Sequence, residues 1–499
     1  MAERVTIGEL GRHVGAEVLL RGWLCGTRSS GKIMFLLVRD GTGVCQCLVE
    51  ASAPEAFAAA QALNLECSLR LSGLVRSDAR APGGVEVAVG SIEPIQGEAG
   101  YPITRKPHGV EFLMNHRHLW LRSRRQAAIL RIRHTLIRAV RGFLDGLGFT
   151  LVDTPIIIGG AAEGAGTLFP LDFFGEQAFL AQTGQLYLEC ACMSLGKVYC
   201  FGPAFRAEKS KTRRHLAEFW MVEPEIAFAE LDEVMDLAED LTCRAVKAVL
   251  DGHREDLAFL GRDIAPLERV AKPFPRITYT DAVEMLRSPD TAVMLERELE
   301  ADRSRLQAMI AELAAMEDRR KSLKKQAQMD ELDLKICALR ERIRELEQDV
   351  GARPGHIALA REFEWGKDLG GSDETILSRR FDRPFFVTEY PRQAKAFYMK
   401  RSAADGRVVR NMDLLAPEGY GEIAGGSQRE DDLAALEARM REEGLDPARY
   451  GWYLDLRRYG SVPHGGFGMG IERTLAWLCG LKHVRETIPF PRMMGRMAP

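Results

Sequence analysis

The chain has 499 residues, 46% apolar and 28% charged, so it is too long for one hydrophobic core and has the composition of an ordinary globular enzyme. A formal net charge of −3 excludes a nucleic-acid binder held by bulk positive charge, but not one that uses a local basic patch. The N-terminal MAERVTIGEL has no apolar core and no run of about 20 apolar residues occurs, which excludes a membrane helix and leads us to expect a cytoplasmic chain with reduced thiols.

Residues 1 to about 100 read as short strands: AEVLLRGWLCGTR, KIMFLLVRDGTGVCQCLVE, CSLRLSGLVRS and GVEVAVGSIEPI. Ser-Gly, Asp-Gly and Pro-Gly pairs separate them, and AFAAAQALNL supplies one helix. Five strands with a helix in this order predict a small Greek-key barrel of the OB type over 1–105, a fold that commonly binds single-stranded nucleic acid on one face. The ten cysteines show no Cys-x-x-Cys spacing, and the Cys-x-Cys pairs fall in strand-like runs, so they read as small buried hydrophobes. A Pro-, His- and Arg-rich stretch over 106–123 reads as a linker to a catalytic domain over 124–499, either touching RNA or merely solvated.

From Arg124 to Gly148, RRQAAILRIRHTLIRAVRGFLDGLG has helical periodicity and ends in glycine, and FTLVDTP follows as a strand closed by Pro155. Tyr199 to Phe228 alternates apolar and polar residues on both sides of the basic loop KSKTRRH, which predicts two antiparallel strands. An arginine on one strand (Arg206), an aromatic on the other (Phe219) and a basic loop are what a nucleoside triphosphate needs. The guanidinium forks onto a phosphate or carboxylate, and the ring stacks on a purine.

Residues 289–354 read as a helical insertion. Between Asp290 and Val350 there is no Gly or Pro, and Leu332, Ile336, Leu339, Ile343, Leu346 and Val350 are spaced four-three-four-three-four, a heptad seam. Leu295, Leu299, Leu306, Ile310 and Leu313 form a second seam, out of phase with the first. Two antiparallel helices with a turn near 320–328 fit this better than one long helix. The tip gathers Arg319, Arg320, Lys321, Lys324 and Lys325, which suits either a contact to RNA or a solvated capping turn. Further on, GYGEIAGGSQRE (Gly419 to Glu430) and YLDLRRYGSVPHGGFGMGIERTLAWLCG (Tyr453 to Gly480) place a glycine-rich strand before an arginine that opens a helix, Arg473.

These blocks resemble the class II aminoacyl-tRNA synthetases. The Arg124 helix with FTLVDTP resembles motif 1, the Tyr199–Phe228 hairpin motif 2, and the last block the ATP-site strands and motif 3. IPFPRMMGRMAP resembles the family ending, and the match spares only about 70 residues in the middle. The subclass is the aspartyl, asparaginyl and lysyl one, and in detail its asparagine-specific branch. The fold this implies is α+β: an OB-type barrel, then an antiparallel sheet flanked by helices, with a coiled-coil hairpin inserted. Motif 1 implies a homodimer.

The activity implied is ligation of L-asparagine to tRNA(Asn): ATP and asparagine give an adenylate, and transfer to the tRNA releases AMP after pyrophosphate. Such chemistry brings two anions together, so positioning and fixed positive charge carry it. Arg206 is expected to bridge the substrate carboxylate and α-phosphate, and Arg473 to hold the γ-phosphate and cover one adenine face while Phe219 stacks on the other. Glu208, His215 and Leu216 would flank the nucleotide. Asp413 and Glu422 resemble the carboxylates that hold Mg²⁺ against the phosphates. Glu163 and Gln185 match positions that hold the α-amino group, and Arg429 the one that meets the side-chain carbonyl. In aspartyl relatives a lysine stands three residues after that glutamine, where this chain has Leu188. Without that cation a neutral carboxamide fits better, its NH₂ given to an acceptor such as Glu223. Arg457 either orients this pocket or forms a structural ion pair. In the barrel, Phe35 and Gln46 fall where relatives stack on and read the central anticodon uridine, with Arg28 beside them. Two other functions remain open on the sequence: a tRNA-independent amide-forming relative, against which the barrel speaks, and a catalytically silent RNA-binding paralogue, against which Arg206, Phe219, Glu422 and Arg473 speak.

Overall fold

Alternation of apolar and polar residues builds the N-terminal unit. Strands β1 (Glu3–Arg4), β2 (Glu17–Ser30), β3 (Ile33–Arg39), β4 (Val44–Glu50), β5 (Ser68–Ser77) and β6 (Val85–Gln96) surround a core that includes Leu20, Met34, Leu36, Val38, Cys45, Cys47 and Leu69. The ladder runs β2–β3–β4–β6–β5 and returns from β5 to β2, so the ring closes and leaves none of these five strands with two free edges. At Gly73 a Cβ would lie 2.2 Å from the Ala88 carbonyl oxygen, so only glycine lets β5 cross β6 this closely. The predicted helix is Pro54–Ala62, and all ten cysteines carry free thiols, with Cys45 and Cys47 inside the barrel.

The computed structural model describes residues 2–104, 106, 108–160, 167–209, 212–324 and 326–499. It divides into two units, Met1–Arg105 and Lys106–Pro499. The second holds a three-stranded sheet of β8 (Ile157–Ile158), β10 (Glu176–Leu180) and β9 (Pro170–Phe173). Its main sheet has eight strands in the order β13 (Arg276–Thr278), β14 (Phe385–Thr388), β15 (Asn411–Ala416), β16 (Gly421–Gln428), β17 (His464–Gly470), β12 (Glu218–Ala227), β11 (Lys197–Phe205) and β7 (Thr150–Leu151). The interior pairs are antiparallel as expected, whereas the two edge pairs, β13–β14 and β11–β7, are parallel. The helices Arg124–Gly146, Leu231–Leu260 and Ile471–Cys479 share one core with this sheet, built around Leu136, Leu241, Val222, Leu414, Phe467 and Trp477.

The stretch read as a linker carries two short helices, Val110–Asn115 and Arg117–Trp120, within the second unit. The Arg117 guanidinium is fully buried and donates to the Pro489 and Ile488 carbonyl oxygens, each at 2.8 Å, which takes up charge that burial would otherwise leave unsatisfied. The insertion is a hairpin of the helices Pro289–Ser322 and Gln326–Arg361, as expected, but its second helix continues through Pro354. Ile357 and Ala360 carry it into a core with Tyr279 and Phe385, and that burial outweighs the hydrogen bond the proline forfeits. Met309, Leu339 and Ile343 form the seam between the helices, flanked by Arg340–Glu317 at 2.6 Å and Arg353–Glu298 at 2.9 Å. At the tip Arg320 pairs with Asp333 and Lys321 with Asp318, which favours the capping turn; Lys325 lies outside the described residues.

Candidate active site

The β11–β12 register sets Ala204 opposite Phe219, and the Arg206 amide donates to the Ala217 carbonyl at 3.0 Å, so arginine and ring leave the hairpin on the same side. The Arg206 guanidinium carbon lies 5.7 Å from the Phe219 ring centroid. Both line a cleft together with His215, Leu216, Glu422 and Arg473. Glu208 meets His215 at 3.3 Å, and the Thr212 hydroxyl meets the other ring nitrogen. Burial, then the Arg473 charge, lowers the His215 pKa. Arg473 sits in the first turn of Ile471–Cys479, whose start is fixed because Glu472 accepts from the Trp220 amide at 2.9 Å and pairs with Arg133 at 2.7 Å. Arg473 donates to Glu422 Oε2 at 2.7 Å.

Asp413 and Glu422 project from neighbouring strands over Gly425. A Cβ there would lie 3.0 Å from a Glu422 oxygen and 3.3 Å from an Asp413 oxygen, so the glycine is what lets the two carboxylates converge. Burial pushes Asp413 up to about 6 against the pull of Lys395, with Glu422 adding to the rise. Burial also pushes Glu422 up, but Arg473, Lys395 and Arg206 outweigh it and hold its carboxyl below the ordinary value. A third carboxylate, Glu374, stands behind them. It accepts from the Glu422 amide at 3.0 Å, and burial and Glu422 raise it to about 7. Converging half-buried acids of this kind, all oxygen donors, suit a hard divalent cation.

A second cavity of about 720 Å³ opens beside the first, and the two share Arg206, Met221, Glu422 and Gly468. Gln185, Leu188, Glu223 and Arg429 line it. Glu223 is held from behind by the Gly184 amide at 3.0 Å, the Cys200 thiol at 3.3 Å and the Thr183 hydroxyl. Gln185 donates to Glu189 at 3.1 Å. Glu189 is wholly buried; burial would raise its pKa, but Arg457, His464 and Arg429 hold it well below the usual range. Arg457 donates to Glu189 at 2.7 Å, Tyr453 at 2.9 Å, so Arg457 is an ion pair that orients the pocket wall at one remove. The ligand atoms of Glu189, Glu225 and His464 lie within 4.8 Å of one another, and the Arg429 and Arg457 guanidiniums pair with the two carboxylates. Glu163 lies outside the described residues.

Sequence reasoning missed Lys395, whose ammonium donates to Asp413 at 2.9 Å, lies 3.4 Å from Asp368 and covers the Tyr390 ring at 3.9 Å. It also gave no role to Arg214, which reaches Glu374 at 3.1 Å and Thr375 at 2.6 Å, or to Glu225 and Glu189. The KAFYM run at Lys395 sets one cation beside two aromatics, a local signal of a site there.

In the N-terminal unit Met34, Leu36, Cys45 and Cys47 point inward, so Phe35 and Gln46 face outward from β3 and β4. Arg28 stands opposite Phe35 with its guanidinium carbon 4.6 Å from the ring centroid. Gln46 Nε2 donates to Glu86 at 3.0 Å, which fixes the amide. Trp23, 40% exposed, adds a second ring, with the Arg39 guanidinium carbon 5.1 Å from its centroid.

A closed barrel and an antiparallel sheet bearing an arginine-and-ring nucleotide cleft define a class. Residues 109–494 match the family described as tRNA synthetases class II (D, K and N), and residues 18–95 match the OB-fold nucleic acid binding domain. The chain belongs to this class II tRNA synthetase family. Within it the chain is similar to the asparagine–tRNA ligase of Sorangium cellulosum, 49% identical over 498 residues and 99% of each chain, and to that of Desulforamulus reducens, 48% identical over 494 residues and 99% of each. Among solved structures, asparaginyl-tRNA synthetase from Pyrococcus horikoshii complexed with asparaginyl-adenylate superposes with a TM-score of 0.82 at 39% identity, covering 100% of both chains. The expected barrel followed by a class II catalytic unit is thus the fold of this protein.

Proposed function

We propose that this enzyme activates L-asparagine with ATP and transfers it to tRNA(Asn), as an asparagine–tRNA ligase. The observation that carries the reading is Arg206 at the junction of the two cavities, one with a ring and a motif 3 arginine, the other with buried polar groups. Arg206 there touches the substrate carboxylate and the α-phosphate at once, reducing their repulsion and aligning them for in-line attack. Phe219 and Arg473 sandwich the adenine, His215 and Glu208 flank it, and Leu216 closes the apolar side. Gln185, with Glu163, holds the α-amino group. Arg429 donates to the side-chain carbonyl while Glu223 accepts from its NH₂.

Asp413 and Glu422 would hold Mg²⁺, which neutralises phosphate charge when bound. The barrel face of Phe35, Gln46 and Arg28 takes the anticodon by stacking and edge reading. A homodimer is supported by the short edge strand β7 and the exposed Leu147, Leu151, Ile156 and Ile157 around it. Among the described residues no helix is long and apolar enough to cross a membrane, which agrees with work in the cytoplasm.

ATP–pyrophosphate exchange with asparagine and aspartate side by side tests the assignment. Exchange that depends on asparagine is expected. Exchange with aspartate, giving free amide on addition of ammonia, would make the protein an amide-forming relative, and no exchange with either would leave an RNA-binding paralogue.

A further inference from the structure

The reaction so far gives the helical hairpin no part, yet its root reaches the nucleotide cleft. On its second helix Asp349 pairs with Arg213 at 3.0 Å, in the basic loop between β11 and β12. One turn earlier Glu345 pairs with Lys482 at 2.8 Å, in the segment that follows Ile471–Cys479. These two segments are themselves joined, since the Val484 amide donates to the Arg213 carbonyl at 3.0 Å. Asp349, Arg353 and His356 from the hairpin and Arg214, His215 and Arg473 from the cleft line one shared cavity of about 670 Å³. The hairpin root is therefore a wall of the nucleotide site and a tether for its loop.

We propose that Asp349, seconded by Glu345, is a positioning residue for ATP. It acts through Arg213, holding the loop in the conformation in which the neighbouring Arg214 and His215 face the cleft. The ion pair is about a third exposed (37% for each side chain), so its contribution to global stability is small. Its effect is on geometry: a loop already ordered does not have to be ordered by the nucleotide. The hairpin then belongs to adenylate formation through its root, whatever its tip touches.

This inference rests on the proposed asparagine-dependent exchange, and one set of measurements separates the two. In the full chain, Asp349→Ala is expected to raise the KM for ATP about five- to twentyfold, with kcat within about twofold, the KM for asparagine unchanged and the melting temperature preserved. Arg213→Ala should do the same. The double variant should match either single one rather than their product, and Asp349→Glu should recover most of the ATP affinity. An unchanged KM for ATP in Asp349→Ala, effects of Asp349 and Arg213 that multiply, or a general fall in kcat with a lower melting temperature would each overturn the proposal. Absence of exchange in the parent chain would instead overturn the function on which it rests.

Discussion

Arg429 and Glu225 face each other through two parallel hydrogen bonds, Nε to Oε1 at 3.0 Å and Nη2 to Oε2 at 2.8 Å, and both side chains are buried. Burial raises the Glu225 pKa, but the paired guanidinium keeps the two charges matched. What Arg429 offers its cavity is then a directed N–H donor with little net charge. That suits the oxygen of a carboxamide; a second carboxylate would require a further cation.

By the resemblance to the aspartyl branch, Leu188 is the position where that cation is expected. It is 1% exposed, packs with Cys192, Val198 and Cys200, and lines the same cavity. Leu188→Lys should lower kcat/KM for asparagine by at least about tenfold in exchange assays while the protein remains folded. Unchanged selectivity between asparagine and aspartate would remove the argument from the missing lysine.

Arg206→Ala should reduce adenylate formation by about 10³-fold, because among the described residues Arg206 is the guanidinium that lines both cavities. Circular dichroism and melting temperature should stay close to the parent's. Normal exchange in the folded variant would remove Arg206 from the mechanism.

Gly425→Ala tests the carboxylate pair. The new Cβ would press on Glu422 at 3.0 Å and Asp413 at 3.3 Å and splay them. The Mg²⁺ concentration needed for half-maximal exchange should rise by about tenfold. An unaltered Mg²⁺ titration would show that these two acids are not the ligands.

Phe35→Ala removes the outward ring of β3 without touching the core beneath it. Loss of one base-stacking contact, about 1–3 kcal/mol, should raise the KM for tRNA by roughly 5- to 150-fold. ATP–pyrophosphate exchange, which needs no tRNA, should not change. An unchanged KM for tRNA would move the anticodon site off this face.

His483 gives a pH dependence of stability. Burial first, then Arg485 and Arg213, lowers its pKa to about 3, while its Nδ1 accepts from the Arg485 amide at 3.1 Å. The unfolded chain therefore binds a proton that the folded one does not, between the unfolded value of about 6.5 and the folded one. The stabilisation from the neutral ring is complete above that unfolded value and lost progressively as pH falls towards 3. His483→Asn keeps a capping acceptor but cannot titrate. It should make the loss of stability between pH 7.5 and 5.5 smaller by on the order of 1 kcal/mol in urea midpoints. Identical slopes in parent and variant would refute the assignment.

The parts of the site legible in the sequence are those whose chemistry is local. Arg206 and Phe219 sit on strands announced by alternation, and Arg473 follows a glycine-rich strand. The barrel followed from its turn pairs and the hairpin from its two seams. What escaped depends on distant segments meeting. Lys395 acquires its role only because Asp413 and Asp368 arrive beside it, and Glu374 because β16 passes over it. Arg117 looked like a linker residue because nothing near it in sequence predicts that the carbonyls of 488 and 489 will take its guanidinium. Pro354 looked like a helix end because a proline rule is local, whereas the core that overrides it is not.

The order of the main sheet has a consequence for how this molecule is made. β17 is the last of its strands to leave the ribosome, yet it lies in the middle, between β12 and β16. Until translation has passed Gly470, β12 and β16 lack their common neighbour and expose bare edges for other chains to grip. The barrel, by contrast, completes its ring by Gln96. A prematurely terminated product would thus carry a finished RNA-facing module and no means of handling ATP.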